Sequence, residues 1–439
     1  MTLNLKKIFL TTASCVVLST FPQITNAQKL PPLLKQAESF TLKLNTYIDI
    51  GFWDDDKGDS SGTGFLIDKE KGWILTNAHV SGYGTGDVEG AFFDADFEPL
   101  KYVYVDMDLD LAVLAINPEV IPDTATDANL DCTGADPEGR DVMVYGHPEG
   151  LSFSATRGIV SKLRRDQFND ALQTDAAINS GNSGGAMIDI ESGKVIGMSS
   201  SKLVDEDIEG IGFGVPARPI CKVLELLRLG KPPTAPKQLF RFASDMKNDK
   251  YLFVGAPYGH GELPQGIKLG DQIVSVNGID VSTPTEYTTE LRGIDGPATL
   301  GIRRNDEVIQ VDVRVTPQDH ILDREYVMVD DALIAKDHYD ERFAKFGYYS
   351  VHDVIRSSDA AQGGINRYSV ISSINGKKPR SLLEIKEALT KGKTVTFIFS
   401  YFGYDDRELI DFEVVEYTVE ESAEIHSIRD QDNVLDVER

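Results

Sequence analysis

The stretch "NSGNSGGAMIDI", Asn179 to Ile190, sets one serine among glycines and then runs into an alternating apolar segment. Clusters of Gly, Ser and Asn are most often plain turns. The alternative is a loop whose glycines let backbone amides converge on a nucleophile. The rest of the chain decides between them. A serine hydroxyl is a weak nucleophile, and it needs a base within hydrogen-bond reach and a carboxylate to orient that base.

Seven histidines are present. His147, His260, His320, His338, His352 and His426 lie in polar or glycine-containing segments and read as surface residues. His79 differs: it closes the strand-like "GWILTNAHV" with no charged neighbour, where a neutral imidazole sits half buried. Asp110 directly precedes the apolar run "LAVLAI", so its carboxylate stands at the border of a core and needs a specific partner. Asp106 and Asp108 are nearby alternatives. The same run has calcium-loop character, but an EF-hand requires Gly and Glu where Leu111 and Asn117 stand.

Gly181 to Gly185 also matches the G-x-S-x-G elbow of lipases. That elbow needs a helix after the serine and its acid and histidine downstream. Here "AMIDIESGKVIGM" reads as strand, turn, strand, and the best His and Asp lie upstream. A lipase is therefore disfavoured.

The chain has 439 residues, enough for about three domains. Lys6 and Lys7, an apolar stretch from Ile8 to Phe21 and the small residue Ala27 read as an export signal over residues 1–27, cleaved near Ala27. The expected setting is periplasmic or secreted. No other segment has the apolar length of a membrane span. A net charge of −26 argues against nucleic acid and anionic membrane as partners. Asp54 to Asp56 and Glu420 to Glu424 read as solvated loop and tail. Beyond Cys15 only Cys132 and Cys221 remain, with no Cys/His cluster, so no metal is expected. No cofactor or nucleotide motif is present, which fits an ATP-independent protein.

Residues 46–215 carry short apolar runs punctuated by Gly and Asp, which suggests an all-β barrel or sandwich. Pro219 to Leu229 reads as a helix stopped by Gly230, followed by the stiff linker "KPPTAPK". Beyond it, "GIKLGDQIVSVNGIDV" (Gly266 to Val281) is echoed by "GINRYSVISSINGKKP" (Gly364 to Pro379). Each passes from a small turn through an apolar strand to an Asn-Gly hairpin turn, and each precedes a predicted helix. A repeat of about 100 residues is a duplicated small domain.

The order His, Asp, Ser on a β-rich chain is that of the chymotrypsin template. "TNAHV", "DLDLAVL" and "TDAAINSGNSGGA" resemble the three signature blocks of the HtrA (Deg) family of trypsin-like serine proteases. "GIKLGDQIVSVNG" is similar to a PDZ signature, so the resemblance covers almost all of the chain after the leader. It implies a mainly β protein: a chymotrypsin-like double β-barrel protease domain followed by two PDZ-like α/β domains. The implied boundaries are 28–230 for the protease, 231–238 for the linker, and 239–317 and 318–420 for the PDZ-like domains; the polar composition of the remainder, 421–439, reads as an acidic, disordered tail.

The resemblance implies Ser183 as nucleophile, His79 as general base and acid, and Asp110 as its orienting partner. Gly181, Asn182 and Ser183 would form the oxyanion hole. Ala177 and Ile178 would floor the specificity pocket, with Gly197, Met198 and Ser199 as a wall. The absence of an acid there implies cleavage after small or medium apolar residues, modulated by the charged loop "SSKLVDEDIEG". The spacing of Cys132 and Cys221 resembles the trypsin bridge to the C-terminal helix and implies a disulfide. Leu252, Phe253 and Val254 are the implied peptide-binding strand of the first PDZ domain, where C-terminal or extended peptides would add. Tyr251, and Arg367-Tyr368 in the repeat, depart from the family pattern at the carboxylate-binding positions, and assembly is the alternative role of the second domain. The family forms trimers or multiples of three, with Phe40 and Tyr47 as candidate contacts. The function implied is an ATP-independent serine endopeptidase degrading unfolded exported proteins; the alternative is a PDZ-based chaperone holding unfolded chains with little proteolysis.

Overall fold

The computed structural model describes residues 26–435 apart from 53–54, 56, 149–151, 165–169, 203–209, 246–249, 259–260, 337–348 and 403–408. The expected leader up to residue 25, His260, His338 and most of the charged loop after Ser201 lie outside the described residues.

The glycine-punctuated apolar runs fold as two closed barrels. Helix α1 (Asn26–Phe40) leads into strands β1 (Thr41–Ile48), β2 (Gly58–Asp68) and β3 (Trp73–Thr76), the one-turn helix α2 (Ala78–Ser81), then β4 (Asp87–Phe92), β5 (Glu98–Asp106) and β6 (Leu111–Ala115). The second barrel comprises β7 (Asp141–Gly146), β8 (Ser154–Arg164), β9 (Ala171–Thr174), β10 (Ala186–Asp189), β11 (Val195–Lys202) and β12 (Gly212–Pro216), closed off by helix α3 (Ala217–Arg228). Both barrels share one topology, β1-β2-β3-β6-β5-β4 and β7-β8-β9-β12-β11-β10. Closure leaves neither barrel an open edge. Strands β3 and β6 are buried along their whole length, as their unbroken apolar runs require.

A five-strand path follows: β13 (Phe240–Asp245), β14 (Lys250–Pro257), β15 (Gln272–Val276), β17 (Gly296–Arg304) and β18 (Glu307–Val315), with the short β16 (Ile279–Asp280) on β15 and helix α4 (Pro284–Leu291) across it. The last sheet repeats this plan with β20 (Ala332–Lys336), β21 (Tyr349–Val354), β22 (Val370–Ile374), β23 (Thr394–Phe402) and β24 (Leu409–Thr418), with helices α5 (Asp359–Gln362) and α6 (Leu382–Ala388). Strands β19 (Glu325–Val329) and β25 (Glu424–Ser427) are added to its β20 edge. The two Asn-Gly turns are as the sequence requires: Asn277-Gly278 and Asn375-Gly376 all have positive φ.

Several expectations are corrected. The tail from 421 is not disordered: β25 pairs with β19, Ile428 is fully buried, and Leu435 N donates to Tyr102 O at 2.8 Å. Its polar composition hid the apolar residues Ile428 and Val434, which pack into the barrel core. The linker is packed along its length: Pro233 O accepts from the Tyr104 hydroxyl and Arg292, and Pro236 bridges Pro317. Asp55 is buried and accepts from the amides of Phe52 and Tyr83, which makes it a cap for the loop and not a solvated side chain. His147 and His352 are buried and His320 half-buried, each packed against an aromatic ring that local sequence does not reveal. Phe40 belongs to the barrel core against Phe65 and offers no outer contact, whereas Tyr47 is exposed.

Candidate active site

Strand β3 carries the chain to Asn77, which starts α2 in extended conformation and so places His79 at the mouth of the first barrel. Asp110 sits on the β5–β6 turn with φ of 50°, a left-handed conformation that Asp tolerates at some cost. Its Oδ1 accepts the His79 backbone N–H at 3.1 Å and Nδ1 at 2.9 Å, and Oδ2 lies 2.8 Å from Nδ1. Asn77 Nδ2 donates to the Asp110 carbonyl at 2.9 Å. With Asp110 ionised, the proton belongs on Nδ1, which leaves the Nε2 lone pair available as a base.

Ser183 lies in the loop between β9 and β10. Its Oγ donates to the Ser200 carbonyl at 2.7 Å, and the Ser200 hydroxyl donates to Asp110 Oδ2 at 2.7 Å. Ser183, Ser200, Asp110 and His79 thus form one hydrogen-bonded chain across the two barrels. The loop is clamped to the first barrel by Thr63, whose N–H donates to Ser183 O at 2.9 Å and whose hydroxyl donates to Gly181 O at 2.6 Å. Gly184 has φ of 82°, and a Cβ there would lie 2.0 Å from Thr63 O. Only glycine fits that approach.

The amides of Gly181 and Ser183 make no hydrogen bond among the described residues. Asn182 is different: its N–H donates to Asn179 O at 3.0 Å and its side-chain amide to Ala177 O at 3.3 Å. The turn uses that donor, so Asn182 drops out of the expected oxyanion set.

The expected pocket wall is also corrected. Met198 is fully buried in the core, and a Cβ on Gly197 would lie 2.5 Å from Leu172 Cδ1. The Ser199 hydroxyl donates to Asn182 O at 2.5 Å. Met198 is in the core, the Ser199 hydroxyl is spent on a loop carbonyl and Gly197 has no side chain, so only the backbone of the three remains for a wall. Ala177 is exposed; Ile178 is buried against Gly212. Cys132 and Cys221 are joined by a disulfide with Cα atoms 5.8 Å apart, tying the turn before the second barrel to α3.

Leu252, Phe253 and Val254 cannot take an added strand. Strand β14 is internal, with Phe253 paired to Ala243 on one side and Gln272 on the other, and Leu252 and Val254 fill the core of their domain. The outer strand is β13. Ser200 and Thr63 were not legible as site residues, because serine and threonine near strand ends carry no signal until the barrels pack.

His147 lies beside this loop, its N–H donating to Thr63 Oγ1 at 3.2 Å and its Nδ1 accepting from Phe153 N at 3.0 Å. Burial pushes its pKa down to about 4, so it is neutral at pH 7. No group of His, Cys, Asp and Glu suited to a metal occurs among the described residues.

A trypsin-like peptidase domain matches residues 62–198. The chain is 31% identical over 354 residues to the periplasmic pH-dependent serine endoprotease DegQ of Escherichia coli (strain K12), covering 75% of each. It is 27% identical to the periplasmic serine endoprotease DegP of the same organism, covering 76% of this chain and 73% of that one. Its fold resembles the solved HtrA-type protease AlgW with tripeptide, with a TM-score of 0.51 at 22% identity over 67% of this chain and 98% of that one.

Proposed function

The chain belongs to the HtrA (Deg) family of serine endoproteases, and from that premise we propose that Ser183, His79 and Asp110 perform its chemistry on unfolded polypeptides. The observation that carries the reading is the hydrogen-bonded chain from Ser183 through Ser200 to Asp110 and His79. Attack requires Ser183 Oγ to leave the Ser200 carbonyl and donate to His79 Nε2. The imidazole takes the proton as Oγ adds to the scissile carbonyl, and Asp110 stabilises the imidazolium. The Gly181 and Ser183 amides receive the developing oxyanion. The imidazolium then protonates the leaving amine, and water hydrolyses the acyl-enzyme by the same steps. Ile178 and the backbone of Gly197 to Ser199 would shape a pocket for small or medium apolar residues.

Export fits the periplasmic names of the relatives, and no described helix is long and apolar enough to cross a membrane. Cleavage of the leader near Ala27 belongs to this reading, as does homo-oligomerisation as a trimer or a multiple of three. So do the divisions at 230/231, 238/239 and 317/318. The free edge of β13, beside α4, is where an extended or C-terminal peptide would add to the first PDZ-like domain. The chaperone alternative is disfavoured by the endoprotease relatives.

The test is degradation of unfolded casein by the protein and by Ser183→Ala at equal concentration. Cleavage by the parent alone supports the reading. Equal cleavage by both removes Ser183 as nucleophile, and suppression of client aggregation without cleavage would favour the chaperone.

A further inference from the structure

The two C-terminal sheets differ at one edge. In the first, β13 is the outermost strand; in the second its counterpart β20 is covered by β19, and β19 by β25. Helix α6 packs against both added strands. The place beside β20 where a peptide would add as a strand is filled by the chain itself.

The same unit converges on one segment of the catalytic barrel, Ser81 to Gly86, which begins two residues after His79. Asn433 Nδ2 donates to Gly86 O at 3.0 Å, and Asn433 O accepts the Tyr102 N–H at 2.7 Å. The buried Tyr102 hydroxyl in turn donates to Ser81 O. Gly84 is covered by Ile428 and Leu322, each 2.9 Å from where its Cβ would stand. Asp55 accepts the Tyr83 N–H at 2.8 Å and the Thr85 hydroxyl at 2.9 Å. The loop carrying Asp55 is gripped from the second unit: Arg367 Nη2 donates to the carbonyls of Phe52 and Asp55 at 3.2 and 3.3 Å. Asp353 accepts Gly51 N at 3.1 Å and pairs with Lys57 at 2.8 Å. The Phe52 ring sits edge-on to Tyr326 and His352.

Helix α2 is a single turn, and after Gly82, at φ of 77°, nothing helical continues it. Besides the hold of Asp110 on its N–H and Nδ1, the orientation of His79 therefore depends on what holds the segment behind it. We propose that the second PDZ-like domain, with residues 424–435, is a brace that positions His79 and not a receptor for peptides, and that Asn433 and Arg367 are positioning residues within it. This rests on the reading of His79 as the general base. A displacement of about 1 Å at a reacting group costs up to about a hundredfold in rate.

The test uses the full chain, a chromogenic peptide substrate, and the variants Asn433→Ala, Arg367→Ala and their combination. The double variant is expected to lose about ten- to a hundredfold in kcat with KM changed less than about twofold. Amide exchange across 81–86 should accelerate in step. If the double variant does not fold, Arg367→Lys, whose single nitrogen cannot stand at both the Nε position that bonds His352 O and the Nη2 position that bonds the Phe52 and Asp55 carbonyls, carries the same expectation in smaller degree. Unchanged kcat, or a raised KM with kcat retained, overturns the brace; the second outcome would make the domain a substrate receptor. Ser183→Ala separates the two levels. Turnover that survives it removes the catalytic reading and the brace together, whereas turnover lost there but indifferent to Asn433 and Arg367 removes the brace alone.

Discussion

The hydroxyl of Ser200 donates to Asp110 Oδ2 at 2.7 Å, the same oxygen that lies 2.8 Å from His79 Nδ1. The carboxylate is thereby oriented from the second barrel as well as the first. Asp110→Asn keeps the shape but favours the wrong imidazole tautomer, and kcat should fall by about ten-thousandfold. Ser200→Ala removes one donor and leaves the tautomer intact; a loss of about tenfold in kcat is expected. Steady-state kinetics on a peptide substrate compares the two. Equal losses would mean that Ser200 and Asp110 act as one unit.

Gly184→Ala should abolish activity and destabilise the fold. The new Cβ would meet Thr63 O at 2.0 Å and the residue would hold φ of 82°. Positive φ alone costs about 1–2 kcal/mol for an alanine, and the clash adds to it. A thermal melt within a degree of the parent would show that the loop relaxes at no cost.

The Cys132–Cys221 bridge encloses a sequence separation of 89 residues. On the entropic account its loss costs about 4–5 kcal/mol. Cys132→Ser with Cys221→Ser should lower the urea midpoint and, because the unfolded chain is less compact without the cross-link, steepen the slope. An unchanged midpoint would assign the bridge no stabilising role.

Stability should fall as pH drops from about 6.5 towards 4. His147 is buried and its folded pKa is held down at about 4, whereas its unfolded value is about 6.5. The unfolded chain therefore binds the proton first, and each pH unit across that window removes about 1.4 kcal/mol. Above pH 6.5 this group contributes no slope. His147→Gln should flatten the pH dependence of the melting temperature; an unaltered slope would place the effect elsewhere.

The sequence made a β-rich domain, barrel or sandwich, legible where strands were fully apolar or sharply punctuated, as at Trp73 to Thr76 and Leu111 to Ala115, and the division into two barrels came only from the family resemblance. His79, Asp110 and Ser183 stood out because each closes or opens such a run. What stayed hidden depends on register between distant segments. Ser200 reaches Asp110 only after both barrels have closed, and Asp55 becomes a buried cap only when Tyr83 and Thr85 are brought to it. Leu252 to Val254 read as an edge strand because nothing local showed that Phe240 to Asp245 would pair outside it. The tail misled for the converse reason: its few apolar residues, Ile428 and Val434, find a core far away in sequence.

The most direct measurement is the labelling of the protein by a fluorophosphonate, followed by peptide mass mapping, in the parent, His79→Ala and Asp110→Asn chains. Adduct confined to the peptide containing Ser183, formed quickly in the parent and at least about a hundredfold more slowly in both variants, is the expected result. Labelling at another serine, or at Ser183 with a rate indifferent to His79, would contradict the assignment of Ser183 as a nucleophile activated through His79 and Asp110.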